Sequence, residues 1–266
     1  ESYLLRRAIC GFQTRGYWAI FAGLAKSLQQ DGSLQNLKVE LSRLSESYKF
    51  PSDKEFTNAL KAENVYRFQV CRPLLERLEN ADTNELTDTS GYSIEHIMPQ
   101  NENLSQPWRE ALGAEWERVH ETWLHTLGNL TLTGYNSEYS DRPFHEKRDM
   151  EGGFKQSPLK VNEGLGQIDS WNEEAIKKRA DKLATLALDI WVGPRLDDDT
   201  IALYKPKRDK AAVYSIEDHP HLLSANLNPI YEAFRKEVLE LDPCVHEEFL
   251  KLYVAFKAET NFVDVV

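Results

Sequence analysis

The sequence predicts an α+β fold that is mostly α-helical. It reads as a helical bundle around a small strand–strand–helix element, followed by a small separate α/β unit at the C-terminus. Three observations carry this. Apolar residues recur at three- and four-residue steps through the first ninety positions and again through Trp171–Trp191. Two short alternating segments, Tyr92–Ile97 and Asn129–Thr133, interrupt the helical texture. A V-G-P-R-L-D-D-D run then breaks the chain after Trp191.

The elements follow in order. Ser2–Cys10 is a short helix with adjacent Arg6 and Arg7. Tyr17–Leu28 carries a stripe of Trp18, Phe21, Leu24, Ala25 and Leu28, and Leu34–Leu44 repeats Leu34, Leu37, Leu41 and Leu44. These stripes are expected to be core. Ser52 and Glu55 form a capping-box pattern that opens Asp53–Lys61. Val65–Leu78 reads as one helix with Pro73 as a kink, and the polar stretch Ala81–Gly91 as a loop. Trp108–Leu124 is expected as a helix with Trp108, Trp116 and Trp123 in the core. A further helix is expected over Tyr135–Met150 after a turn at Gly134. In the tail, Leu227–Leu239 and Val245–Phe256 are expected as helices and Asn261–Val266 as a strand. The domain boundaries implied are a helical region at 1–91, a core with its closing helix at 92–192, a linker at 193–212 and a small C-terminal domain at 213–266. Because residue 1 is Glu and the final strand ends abruptly, both ends are expected to continue in a longer polypeptide.

Composition narrows the function classes. The 266 residues include 32 Lys plus Arg and 43 Asp plus Glu, a net charge of −11, with 41% apolar and 28% charged residues. Such a chain has enough apolar content to fold. It contains no run apolar enough for a transmembrane helix, so no membrane association is expected. Basic and acidic residues number 12 and 12 over 1–91, 5 and 10 over 92–150, 6 and 7 over 151–192, and 9 and 14 over 193–266. The absence of a basic segment argues against bulk nucleic-acid binding; any contact with DNA must rest on a few placed cations, a metal or another domain. Cys10, Cys71 and Cys244 are odd in number and widely spaced, which argues against disulfides or structural zinc and for a reducing cytoplasm.

The chemistry-bearing stretch is S-I-E-H-I-M-P-Q at 93–100, followed by H-T-L-G-N-L-T-L-T-G-Y-N-S at 125–137. A strand ending in Glu95–His96, a second strand beginning at Asn129 and a helix opening with Asn136 would gather these residues around one cavity. The set suits phosphodiester hydrolysis. A water nucleophile needs a base that titrates near neutrality, which His provides. The departing oxygen gains charge that a hard divalent cation offsets, and carboxylate and amide oxygens are hard ligands suited to magnesium or manganese. Adjacent strand residues point to opposite faces, which separates Glu95 from His96.

These residues resemble an HNH (ββα-metal) nuclease, and residues 1–192 resemble the C-terminal half of GmrSD-type modification-dependent restriction endonucleases. The marks are E-S-Y-L-L-R-R at 1–7, P-S-D-K-E-F at 51–56, E-H-I-M-P-Q at 95–100, L-G-N-L-T-L at 127–132, N-S-E-Y-S-D at 136–141, F-H-E-K at 144–147, and Trp171, Arg179, Leu183 and Trp191. The resemblance implies a general base at His96 and Mg2+ or Mn2+ held by Glu95 and Asn136. It further implies that Asn129 braces the loop that holds His96, and that Lys147 steadies the scissile phosphate or the transition state. Asn136 stands where the name-giving motif has its third His, a harder ligand that favours magnesium over zinc. His125 and His145 are placed below His96, as supporting or surface groups, and His120 as a helix-surface residue. The tail resembles a small domain appended to such restriction proteins, and its D-H-P-H run at 218–221 reads as a turn.

The function implied is a metal-dependent DNA endonuclease module of an anti-phage restriction system. Its implied partners are DNA, an upstream nucleotide-dependent sensor domain in the same or a partner chain, and a second copy in a homo-oligomer. No phosphate-cradling G-x-x-x-x-G-K-[ST] loop occurs within 1–266. The alternative is a non-catalytic helical module with a degenerate HNH motif. The acidic balance favours it, and the intact set Glu95, His96, Asn129 and Asn136 counts against it.

Overall fold

A computed structural model describes all residues except Ser45, 205–213 and 259–260. It falls into two compact units, Glu1–Tyr204 and Lys205–Val266. The fold is mostly helical with small antiparallel sheets, the α+β class that the sequence predicts.

The first unit opens with α1 (Ser2–Ile9), α2 (Tyr17–Leu28), α3 (Leu34–Arg43), α4 (Asp53–Ala62) and α5 (Cys71–Glu79). The Ser52–Glu55 capping box is present at the start of α4. Pro73 lies in the first turn of α5, where its missing N–H costs no intrahelical bond, so it opens a helix rather than kinking one. The expected helix over Val65–Leu78 is therefore a 3₁₀ turn at Val65–Arg67 followed by α5. The stripes of α2 and α3 are only partly covered: Leu24 is buried, and Leu37, Leu41 and Leu44 are half-buried. Trp18 is 80% exposed and Leu34 66%, and only Leu24 of α2 is buried. The reason is geometric. Two paired helices share one seam, α2 is apolar nearly all round, and what lies off the seam faces water.

β1 (Ser93–His96) and β2 (Leu130–Thr133) form a two-stranded antiparallel sheet in which Glu95 faces Thr131 and His96 faces Leu130. Between them the expected helix over Trp108–Leu124 is two, α6 (Gln106–Leu112) and α7 (Trp116–Trp123), broken at Gly113 with φ 82°. Trp108 is buried, while Trp116 and Trp123 are half-buried. The expected helix after Gly134 is likewise two short ones, α8 (Asn136–Tyr139) and α9 (Phe144–Asp149), parted at Ser140, whose φ is 40°, and at Pro143. α10 (Glu173–Ile190), capped by Asn172, closes the unit. Its Leu183, Ala184 and Ala187 join a core with α1, α4, α5 and β2, while its Ile176 joins a second core with Ile97, Met98, α6, α7, Phe144, Phe154 and Trp171. The predicted linker holds α11 (Asp198–Leu203), capped by Asp197, and its residues 205–212 lie outside the described residues.

In the second unit, α12 (Asn228–Leu239) is the expected helix. Val245–Phe256 is not helical. It forms β3 (His246–Phe249) and β4 (Val254–Lys257), joined by a turn with a Leu250-to-Tyr253 backbone bond, and β5 (Asn261–Val265) completes an antiparallel sheet in the order β3-β4-β5. β3 alternates exposed and half-buried positions, and β4 is rich in Val and Phe, so the short apolar run is a strand pattern. Leu222, Tyr231, Val238, Val254 and Phe256 form its core.

Candidate active site

β1 sets the geometry. Ser93 and Glu95 project to one face, and Ile94 and His96 to the other. Asn136, the first residue of α8, donates from Nδ2 to Ser93 Oγ at 3.0 Å and to the Ile94 carbonyl at 3.0 Å, and so hangs on β1 next to Glu95.

Lys147 approaches the same strand from α9, but not where the sequence reading puts it. Its Nζ donates to Glu95 Oε1 at 2.6 Å, the Ile97 carbonyl at 3.1 Å and the His96 carbonyl at 3.2 Å, and the residue is 0% exposed. An ammonium has three donors, so none is left for a phosphate. In place of the expected contact with the scissile phosphate, Lys147 is the buried counter-ion of Glu95 and the tie of the strand end. Burial pushes the Glu95 carboxyl up and the Lys147 ammonium down, and each charge partly offsets the effect on the other.

Asn129 is fully buried and makes four hydrogen bonds. Its Nδ2 donates to the Met98 and Leu124 carbonyls at 3.0 and 2.9 Å, and its Oδ1 accepts from Met98 N at 2.8 Å and Trp171 Nε1 at 3.0 Å. It thereby pins the loop after His96 to the turn before β2. That turn is fixed from behind. A Cβ at Gly128 would overlap the Ile176 carbonyl of α10, so only glycine permits this approach. Arg179 donates to the carbonyls of Leu127, Gly128, Leu130 and Val161.

His96 is 4% exposed. Its Nε2 lies 3.0 Å from His125 Nδ1. Burial, then the neighbouring His125, lowers its pKa to about 3, so the ring is neutral in working conditions. The half-buried His125 is also lowered, first by burial. Tyr66 completes a group of three rings: it stacks on His125 at 5.5 Å and 9°, and meets His96 edge-on at 4.6 Å and 74°. The amides of Val65 and Tyr66 both donate to the His125 carbonyl.

The structure thus brings Glu95, His96, Asn136, Asn129 and Lys147 to one strand end. It raises His125 to a direct partner of His96, leaves His145 exposed, and buries His120 where a surface residue was expected. His120 lies within hydrogen-bond distance of the Pro99 carbonyl, 2.9 Å from Nε2, because α7 packs against the loop after β1. Tyr66 carried no signal in the sequence; it lies thirty residues upstream and only the fold brings it in. Ser93, which receives Asn136, was within the quoted motif but carried no assigned role.

As metal donors, the site offers the second carboxylate oxygen of Glu95 and the amide oxygen of Asn136. Among the described residues no three His, Cys, Asp or Glu side chains gather as a metal group; the D-H-P-H run begins on the last residue of a capped 3₁₀ turn at Ile216–Asp218. Two hard oxygens suit a cation that keeps most of its water and takes phosphate ligands, as magnesium does, and do not suit tetrahedral zinc.

The first unit is thus mostly helical, with an acid–His pair at a strand end and an amide-bearing helix anchored beside it. The chain belongs to the family described as GmrSD restriction endonucleases, C-terminal domain, which matches residues 50–186. A Haemophilus influenzae protein that carries the name "Uncharacterized protein" is 27% identical over 108 residues, 33% of this chain and 36% of that protein. The chain therefore spans about a third of that relative's length. Among the described residues, no helix is long and apolar enough to cross a membrane.

Proposed function

We propose that this chain is a metal-dependent DNA endonuclease module of the HNH kind, working in a cytoplasmic restriction system that cuts foreign, modified DNA. The observation that carries this reading is the convergence on the end of β1: a buried carboxylate, a neutral imidazole one residue on, and an amide anchored to the same strand.

In this reading His96 takes the proton of the attacking water at Nδ1. Its neutral state leaves it free to accept, and the negative phosphate entering the site raises its proton affinity. Glu95 and Asn136 would hold Mg2+ or Mn2+, which would supply charge stabilisation at the departing oxygen. Lys147 keeps Glu95 ionised and aimed, and Asn129 holds the loop after His96 in place. DNA reaches the site through a nucleotide-dependent sensor domain in the same or a partner chain, and a second copy of the chain is a further partner.

The test is plasmid nicking in magnesium or manganese, with and without chelator. Glu95→Gln and Asn136→Ala should weaken magnesium binding in calorimetry, and raised metal should partly restore their cleavage. Unaltered magnesium affinity in both variants would reject them as ligands. A wild-type chain that cuts equally well in chelator would reject the metal.

A further inference from the structure

His96 has one ring nitrogen engaged and one open. Nε2 faces His125 Nδ1 at 3.0 Å, and among the described residues Nδ1 has no hydrogen-bond partner. Two imidazoles that share a bond need one donor and one acceptor, so this contact fixes both tautomers at once. Were His125 the donor, His96 would carry its proton on Nδ1 and spend its lone pair on His125. No nitrogen would then be left to take a proton from water.

We infer that His125 is a positioning residue for the base: its Nδ1 accepts the Nε2–H of His96 and thereby leaves His96 Nδ1 bare toward the attacking water. The inference rests on the nuclease reading above. His125 is built for a fixed orientation. Its carbonyl is held by the amides of Val65 and Tyr66, and its ring lies flat on Tyr66, 9° from parallel. The Tyr66 and His125 rings both meet His96 at steep angles, 74° and 80°, which leaves the His96 ring little freedom to flip. When His96 becomes an imidazolium, its Nε2–H stays on an acceptor, as an orienting partner of a catalytic His requires.

The experiment compares two variants of the full chain. His125→Phe keeps the flat ring against Tyr66 and removes the acceptor. His125→Asn removes the ring and can present an amide oxygen near the place of Nδ1. The expected result is that His125→Phe loses roughly 10- to 100-fold in kcat with KM for DNA unchanged, while His125→Asn keeps most of kcat. In nitrogen-15 spectra of the imidazoles, His96 should be protonated at Nε2 in the wild type and in His125→Asn, and a tautomer mixture in His125→Phe. A purely structural role would give the reverse order, because Phe preserves the packing and Asn does not. Wild-type kcat in His125→Phe would overturn the inference while leaving the nuclease reading intact; a wild-type His96 protonated at Nδ1 would overturn the inference and remove His96 Nδ1 as the base. A wild-type chain that does not cut DNA would fail that reading first and the positioning role with it.

Discussion

Replacing Lys147 by Met keeps most of the side-chain volume and removes its charge. Lys147 is 0% exposed and its partner Glu95 is 4% exposed, 2.6 Å away. Breaking a buried pair from one side costs about 3–5 kcal/mol, because the remaining charge is left without compensation. In a unit of this size each kcal/mol moves the melting temperature by about 2–4 °C, so the variant should melt roughly 6–20 °C lower. The pH dependence follows from Glu95. Burial already raises its carboxyl, and without the ammonium it rises further. Between the unfolded Glu value of about 4.3 and that raised value, the folded chain binds the more protons. Stability of Lys147→Met is therefore lost as pH rises through that window and regained as pH falls toward its lower edge. Urea or thermal melts at pH 5 and pH 8 measure this, and the double variant Glu95→Leu/Lys147→Met should recover most of the loss. A single variant within about 1 kcal/mol of wild type, or a deficit equal at both pH values, would refute a buried pair at this position.

The remaining predictions concern the supports and the substrate. Asn129→Ala deletes four buried hydrogen bonds worth about 0.5–1.5 kcal/mol each; it should destabilise the unit by several kcal/mol and expose the Met98 amide to hydrogen exchange, and retained protection there would contradict the bracing geometry. His96 is lowered to about 3 in the folded chain against about 6.5 unfolded, so the unfolded state binds the more protons between those values. Stability from this group is full above pH 6.5 and is lost as pH falls toward 3, at up to about 1.4 kcal/mol per pH unit, and His96→Gln should lack that component in matched urea melts. On its own the chain should bind DNA weakly, since 92–150 holds 5 basic against 10 acidic residues. Tight, steeply salt-dependent binding in fluorescence anisotropy would show that a basic surface assembles in three dimensions.

The site was legible in the sequence to the extent that it is local. Glu95, His96, Asn129 and Asn136 lie in two short motifs, and strand periodicity alone separates the acid from the imidazole. What the fold adds is non-local. Tyr66 reaches His96 through the turn after α4, and Lys147 turns inward because α9 packs its buried face on β1. No spacing rule distinguishes such a lysine from a solvated one. The helix α4 followed from its capping box and α10 from its apolar stripe. Trp108–Leu124 failed as one helix because Gly113 takes a left-handed φ, which breaks the chain where apolar spacing continues. The α2 stripe failed as core because periodicity marks an apolar face without saying whether anything covers it. Val245–Phe256 failed because a short apolar run fits either period, and the pairing with β5 decides it.

The central claim, that His96 is the base of a metal-dependent nuclease, is tested most directly by supercoiled plasmid nicking with wild-type and His96→Ala chains at matched concentration in magnesium, with far-UV circular dichroism as the check on folding. His96→Ala should fold, fall by roughly two to four orders of magnitude in rate and resist rescue by added metal. A folded His96→Ala chain that nicks at the wild-type rate would contradict it.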